Sequence, residues 1–197
     1  MIFTPSEIDG AYLIDIEPIS DERGFFARAW CREEFQRQGL AADFAQANIA
    51  FSDRRGTLRG LHYVDASIGE AKLVRCTRGA ALVVVADVRP RSSSHGKWIG
   101  FELTAENHRL LYVPPGCVQG YQTLLDQTEM HYQMSAAFVP GATRGVRYDD
   151  PFFQIHWPLA VAAISSADLS WPPYATASQP IAAFVTAAGI ENIGADK

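Results

Sequence analysis

Residues 81–88 read ALVVVADV, an apolar run dominated by β-branched side chains that stops at Arg89-Pro90. Branching at Cβ favours the pleated geometry of a strand, and proline ends the run. Segments of similar length and composition recur along the chain. Residues 11–18 alternate apolar and polar before Pro18, and residues 71–77 lead into the turn at Arg78-Gly79. WIGFEL (98–103), RLLYVP (109–114) and MHYQMSAAFV (130–139) follow the same pattern. Short strands at regular spacing, punctuated by Gly, Pro and Asp, predict an all-β sandwich or barrel. One segment reads differently: CREEFQRQG (31–39) sets Phe35 among charged residues and ends on Gly39, as a short helix does. The Ala-rich tail from about 174 to 197 is expected to carry a short helix or to be loosely ordered.

A chain of 197 residues fits one domain, read here as 1–175 with a C-terminal tail, 176–197. Its 48% hydrophobic content is enough for a sizeable core. The formal charge of -5 argues against non-specific nucleic-acid binding. Cys31, Cys76 and Cys117 are an odd number without CxxC spacing, which disfavours a disulfide framework or a zinc site. The opening MIFTPSEIDG lacks a basic segment followed by an apolar one, and no apolar stretch is long enough to span a bilayer. The expectation is a cytoplasmic protein without a membrane partner.

Chemistry-bearing residues gather first in RRGTLRGLHY (54–63). In a regular strand Arg59 and Leu61 point to one face, Gly60 and His62 to the other. Arg59 and His62 then reach one ligand only if it spans the barrel mouth or a bulge intervenes at Gly60. Alone, His62 reads as a half-buried side chain and Arg59 as a surface charge. A metal centre needs several converging His and carboxylate ligands. His62, His95, His108, His131 and His156 include no HxH pair, and Val64 stands two residues after His62, so no catalytic metal is expected. Lys72 shares a face with Val74 and Cys76, which suits an inward lysine or one on an edge strand. Tyr132 fits a core tyrosine, and Asp168 a cap or turn.

Taken together, seven blocks occur in order: DERGFF (21–26), TLRGLHY (57–63), AKLVRCTRGA (71–80), GKWIGFELTAEN (96–107), LYVPPGCVQGY (111–121), RGVRYDDP (144–151) and SSADLSWP (165–172). They resemble the successive motifs of the dTDP-4-dehydrorhamnose 3,5-epimerase family from about residue 5 to residue 172. The resemblance implies a cupin-type β-barrel (jelly roll) with a few short helices, a strand-exchanging homodimer, and catalysis without metal or other cofactor. It implies an epimerase that inverts carbon 3, carbon 5 or both of a nucleotide-linked 4-keto-6-deoxy sugar by proton abstraction and reprotonation. Carried over by motif, His62 matches the base, Asp168 the aspartate that orients it, Lys72 the lysine near the keto oxygen, and Tyr132 the general acid on the opposite sugar face. Arg23 and Arg59 match arginines that hold the nucleotide diphosphate. Gln46 and Asn48 match a QDN segment at the nucleotide site, with Ala47 at its centre.

Four positions depart from the family pattern. Gln119 stands where a histidine is usual, Arg28 where a glutamate is, Ala47 replaces an aspartate, and Thr143 or a neighbour replaces a glutamate. Arg28 and Gln119 therefore join the expected substrate-binding set with altered chemistry. An arginine has only donors and cannot accept from a base N–H, so dTDP is expected to bind no better than CDP or GDP. The alternative is a catalytically silent sugar-nucleotide binding protein. The complete set of His62, Lys72, Tyr132 and Asp168 argues against it.

Overall fold

The structure is a computed structural model that describes residues 1–65 and 67–174, so the expected tail lies outside the described residues. The elements run β1 (Ile2–Pro5), β2 (Tyr12–Asp15), β3 (Ile19–Asp21), β4 (Gly24–Phe26), α1 (Arg32–Arg37), β5 (Gln46–Ser52), β6 (Leu58–Val64) and β7 (Lys72–Arg78). They continue with β8 (Ala80–Asp87), β9 (Trp98–Thr104), β10 (Leu110–Val113), β11 (Cys117–Thr123), β12 (Thr128–Met134), β13 (Thr143–Gly145) and α2 (Ser166–Leu169). One sheet has the order β1-β2-β10-β7-β12-β5, the second β13-β6-β11-β8-β9, and β3-β4 form a separate ribbon. The two large sheets face each other as a jelly-roll barrel of the cupin type.

The valine-rich run explains itself in this setting. Its alternate residues Ala81, Val83 and Val85 enter the core between the sheets with Val74, Cys76, Leu111 and Met130. Leu82, Val84 and Ala86 face the other way, under a cover that includes Val146, Phe152 and Phe153. A strand covered on both faces has no solvent side, so it shows no polar alternation. The outer face of the six-stranded sheet is closed by α1. Phe35, the one buried residue of that helix, is fully enclosed and meets Phe3, Phe44 and Tyr112 edge-on. Glu33 and Glu34 in its first turn and Arg37 in its last complement the helix dipole.

The strand expected over 130–139 is shorter than the sequence suggests. β12 stops at Met134 because its neighbours end there: β5 begins at Gln46 and β7 at Lys72, and Met134 is paired with both. The last links are Ala45 N–H to the Met134 carbonyl and Ser135 N–H to the Ala71 carbonyl. Beyond them the apolar run has no partner strand among the described residues, and composition alone does not reveal that.

Candidate active site

A cavity of about 670 Å³ opens between the two sheets. Strand β6 delivers Arg59 and His62 to it, and β11 delivers Gln119 and Tyr121. From the opposing sheet come Lys72 and Val74 of β7, Tyr132 of β12 and Ala50 of β5. The segment Ala163–Ser165, Asp168 of α2, Trp171 and Thr143 complete the wall.

Arg59 and His62 share the cavity because β6 carries one more residue than β11 between two paired positions. Arg59 lies opposite Tyr121 and His62 opposite Gln119, so three steps along one strand match two along the other. The surplus residue is accommodated at Gly60-Leu61: Leu61 turns into the outer apolar cluster, and both polar side chains keep the inner face. Gly60 is required for this. Its φ is +108°, and a Cβ there would lie 2.7 Å from the Gly120 Cα and 2.9 Å from the Gln119 carbonyl oxygen.

His62 is fixed by α2. Ser165 caps this one-turn helix, its hydroxyl accepting from the Asp168 N–H at 3.0 Å. That places Asp168 Oδ1 2.5 Å from His62 Nε2, while Oδ2 accepts from the Gly60 N–H at 3.2 Å. Burial would push the Asp168 carboxyl up, but the His62 hydrogen bond and charge and the Gly60 and Ser165 contacts outweigh it and hold it below the usual carboxylate range. A carboxylate on Nε2 fixes the neutral imidazole as the Nε2–H tautomer, which leaves the Nδ1 lone pair as the proton acceptor. The Trp171 ring stands edge-on to His62 at 6.3 Å between centroids. Gly145, opposite His62 on β13, makes room for it: a Cβ at 145 would fall 2.2 Å from that ring.

On the facing sheet, Lys72 lies on the inward face with Val74 and Cys76, its side chain 15% exposed. Burial lowers the basicity of its ammonium, and the Glu70 carboxylate 3.5 Å away opposes that shift. Tyr132 is partly buried two register positions along, opposite Val74. Arg59 is braced against β5, donating to the Phe51 carbonyl at 2.9 Å and to the Ser52 hydroxyl at 3.3 Å.

Six of the ten sequence-selected residues therefore line one cavity: His62, Asp168, Lys72, Tyr132, Arg59 and Gln119. Four do not line it. Arg23 sits at the tip of the β3–β4 ribbon, bound to Asp21. Arg28 pairs with Glu34 at 2.8 Å. Gln46 accepts from the Phe138 N–H at 2.7 Å, and Asn48 lies near Met134 on edge strand β5. Two further residues line the cavity that the sequence did not mark: Tyr121, whose buried hydroxyl is pushed up to about 12 mainly by burial, and Trp171. Both lie within family-like motifs, Tyr121 in residues 111–121 and Trp171 in 165–172, and neither residue type signals a cavity by itself. Among the described residues no group of three or more His, Cys, Asp or Glu is placed to hold a metal ion.

The family model described as dTDP-4-dehydrorhamnose 3,5-epimerase matches residues 5–176. A dTDP-4-dehydrorhamnose 3,5-epimerase of Methanothermobacter thermautotrophicus is 36% identical over 174 residues, which cover 87% of this chain and 93% of that protein. A dTDP-4-dehydro-6-deoxyglucose 3-epimerase of Streptomyces bikiniensis is 37% identical over 180 residues, covering 89% and 90%. The crystal structure of a dTDP-4-dehydrorhamnose 3,5-epimerase from Elizabethkingia anophelis superimposes with a TM-score of 0.85 at 31% identity, covering 88% of this chain and 96% of that one.

Proposed function

The chain belongs to the dTDP-4-dehydrorhamnose 3,5-epimerase family, and from that premise we propose how its own residues carry out the reaction. The protein is an isomerase that inverts carbon 3, carbon 5 or both of a nucleotide-linked 4-keto-6-deoxy sugar. The observation that carries the residue assignment is the His62–Asp168 pair at 2.5 Å, which faces Lys72 and Tyr132 from the opposite sheet across one cavity.

His62 Nδ1 takes the proton from the carbon beside the ketone. The C–H electron pair becomes the enolate π bond, and negative charge gathers on the keto oxygen. The Lys72 ammonium, itself largely buried, stabilises that charge. Asp168 stabilises the imidazolium that forms and keeps the ring oriented. The Tyr132 hydroxyl then returns a proton to the carbon from the other side, which inverts the centre. His62 and Tyr132 stand on opposing sheets, which suits transfers on opposite faces of a sugar lying between them. Arg59 donates charge-assisted hydrogen bonds to a diphosphate. Gln119 adds neutral hydrogen bonding where a histidine is usual.

The nucleotide we propose is dTDP, for which the relatives are named. Arg28 pairs with Glu34 and does not line the cavity, so the altered charge at this position does not by itself argue against thymine. The active form we propose is a homodimer. The β3–β4 ribbon exposes Ile19 and Phe26 at 73% and 74%, and the edge strand β5 exposes Ile49 at 66%. Apolar side chains beside unpaired strand edges are the features that a second copy covers. Arg23, Gln46 and Asn48 lie on these same elements, so the dimer is where they approach a ligand. A reducing cytoplasm is in keeping with three unpaired cysteines.

The test is incubation with nucleotide-linked 4-keto-6-deoxy sugars in heavy water. Deuterium at carbon 3, carbon 5 or both, together with inverted product, supports the reading. Tight binding without deuterium uptake for any member of the panel would make the protein a silent binding module.

A further inference from the structure

We infer that Glu70 is a positioning residue that holds the Lys72 ammonium in place over the substrate's keto oxygen. The inference rests on the assignment of Lys72 to that oxygen, given above. Glu70 lies two residues before Lys72, on the same face of the chain, where β7 enters the barrel. Its side chain is only 7% exposed, its carboxylate is 3.5 Å from Lys72 Nζ, and it does not itself line the cavity. A carboxylate is costly to bury unless a cation is beside it, and the converse holds for the lysine. Burial accordingly pushes the Glu70 carboxyl up and the Lys72 ammonium down, and each partner opposes the other's shift.

The remaining titratable groups facing the cavity are Arg59 and His62 from β6, Tyr121 from β11, Tyr132 from β12 and Asp168 from α2. Among them Asp168 is the one other carboxylate, and it is engaged by His62 and Gly60. On the neighbouring β10, the residue opposite Lys72 is Val113, which is apolar. Glu70 is thus the group placed to keep Lys72 charged before substrate arrives. The ion pair at 3.5 Å fixes the ammonium at the cavity wall, where it is available to a substrate oxygen.

The sequence contains three lysines, Lys72, Lys97 and Lys197, so carbon-13-labelled lysine can be followed by NMR with little overlap. The Lys72 signal is identified by its loss in Lys72→Met. In Glu70→Gln, which keeps size and loses charge, the Lys72 titration midpoint should fall by about 1–3 pH units, the usual effect of an opposite charge within reach. Glu70→Asp should restore most of the difference. Deuterium uptake by the substrate at neutral pH should fall at least tenfold in Glu70→Gln, with no further loss when the same change is made in Lys72→Met. An unchanged Lys72 midpoint in a folded Glu70→Gln protein would overturn the role of Glu70 alone. Near-normal uptake by Lys72→Met would instead bring down the assignment of Lys72, and the inference with it.

Discussion

Replacing Gly60 by alanine tests the device that puts Arg59 and His62 on one side of β6. The backbone there has a φ of +108°, which L side chains rarely adopt, and holding a non-glycine residue in such a region costs about 1–3 kcal/mol. The new methyl would also sit 2.7 Å from the Gly120 Cα and 2.9 Å from the Gln119 carbonyl oxygen. Both are backbone atoms of the neighbouring strand and cannot swing aside. Overpacking of this kind costs about 1–3 kcal/mol more. The sum, about 2–6 kcal/mol, is a large share of the about 5–15 kcal/mol that holds a domain together. At about 2–4 °C per kcal/mol for a chain of this size, Tm falls by about 4–24 °C. Relief requires β6 and β11 to part or the bulge to flatten. Either movement disturbs His62 and the Gly60 N–H that holds Asp168 Oδ2. Deuterium uptake should therefore drop at least tenfold even in protein that remains folded. Gly39→Ala is the control: its φ of +70° is similarly unfavourable, but nothing lies within 4 Å of the added carbon. It should cost only about 1–2 kcal/mol and leave exchange intact. If Gly60→Ala melted within about 2 °C of Gly39→Ala and exchanged normally, the bulge argument would be refuted.

Other substitutions separate the remaining roles. Asp168→Asn keeps the shape but removes the charge that supports the imidazolium, so exchange should fall by about 10²–10⁴, measured by deuterium uptake at fixed pH. Because the Asp168 carboxyl is held below its ordinary value, its contribution to stability is fully present above about pH 4 and is lost as pH falls through the depressed value. The melting difference between wild type and Asp168→Asn, about 1–3 kcal/mol at neutral pH, should close in acid; a gap that widened there would contradict the sign. Tyr132→Phe should still allow His62 to remove a proton and return a deuteron to the same face while impairing delivery to the opposite face, so exchange outlasts epimerisation; equal loss of both in folded protein counts against the division of labour. Prolonged chelation followed by dialysis should leave the rate unchanged, and loss restored by one divalent ion would contradict a metal-free mechanism. In side-by-side titration dTDP should bind at least tenfold tighter than CDP or GDP, about 1.4 kcal/mol; equal binding would reject dTDP as the nucleotide.

Sequence periodicity carried the barrel because strands such as Lys72–Arg78 and Ala80–Asp87 are bounded by local signals: β-branched content, Arg78-Gly79 and Arg89-Pro90. The end of β12 was not legible, since it is set by where β5 and β7 begin rather than by the residues of 135–139 themselves. Within the cavity, motif order identified His62 and Asp168, which are 106 positions apart in the chain and meet only through α2. The alternation rule correctly posed the problem of Arg59 and His62 and named Gly60 as the place where it is resolved. Glu70 could have been found by the same rule, two steps before Lys72, but an acidic residue next to Gly69 reads as a solvated turn until its burial is seen. The wall made by Trp171 was hidden for another reason. It depends on the absence of a side chain at Gly145, a residue distant in sequence.

The most direct measurement is deuterium uptake by the substrate with His62→Ala. Mass spectrometry or proton NMR follows the sugar carbons beside the ketone in heavy water, with folding checked by melting. If His62 Nδ1 is the base, uptake falls to the uncatalysed rate at every carbon that the wild-type protein exchanges, while the nucleotide still binds. Near-normal uptake at any of those carbons by folded His62→Ala would contradict the account.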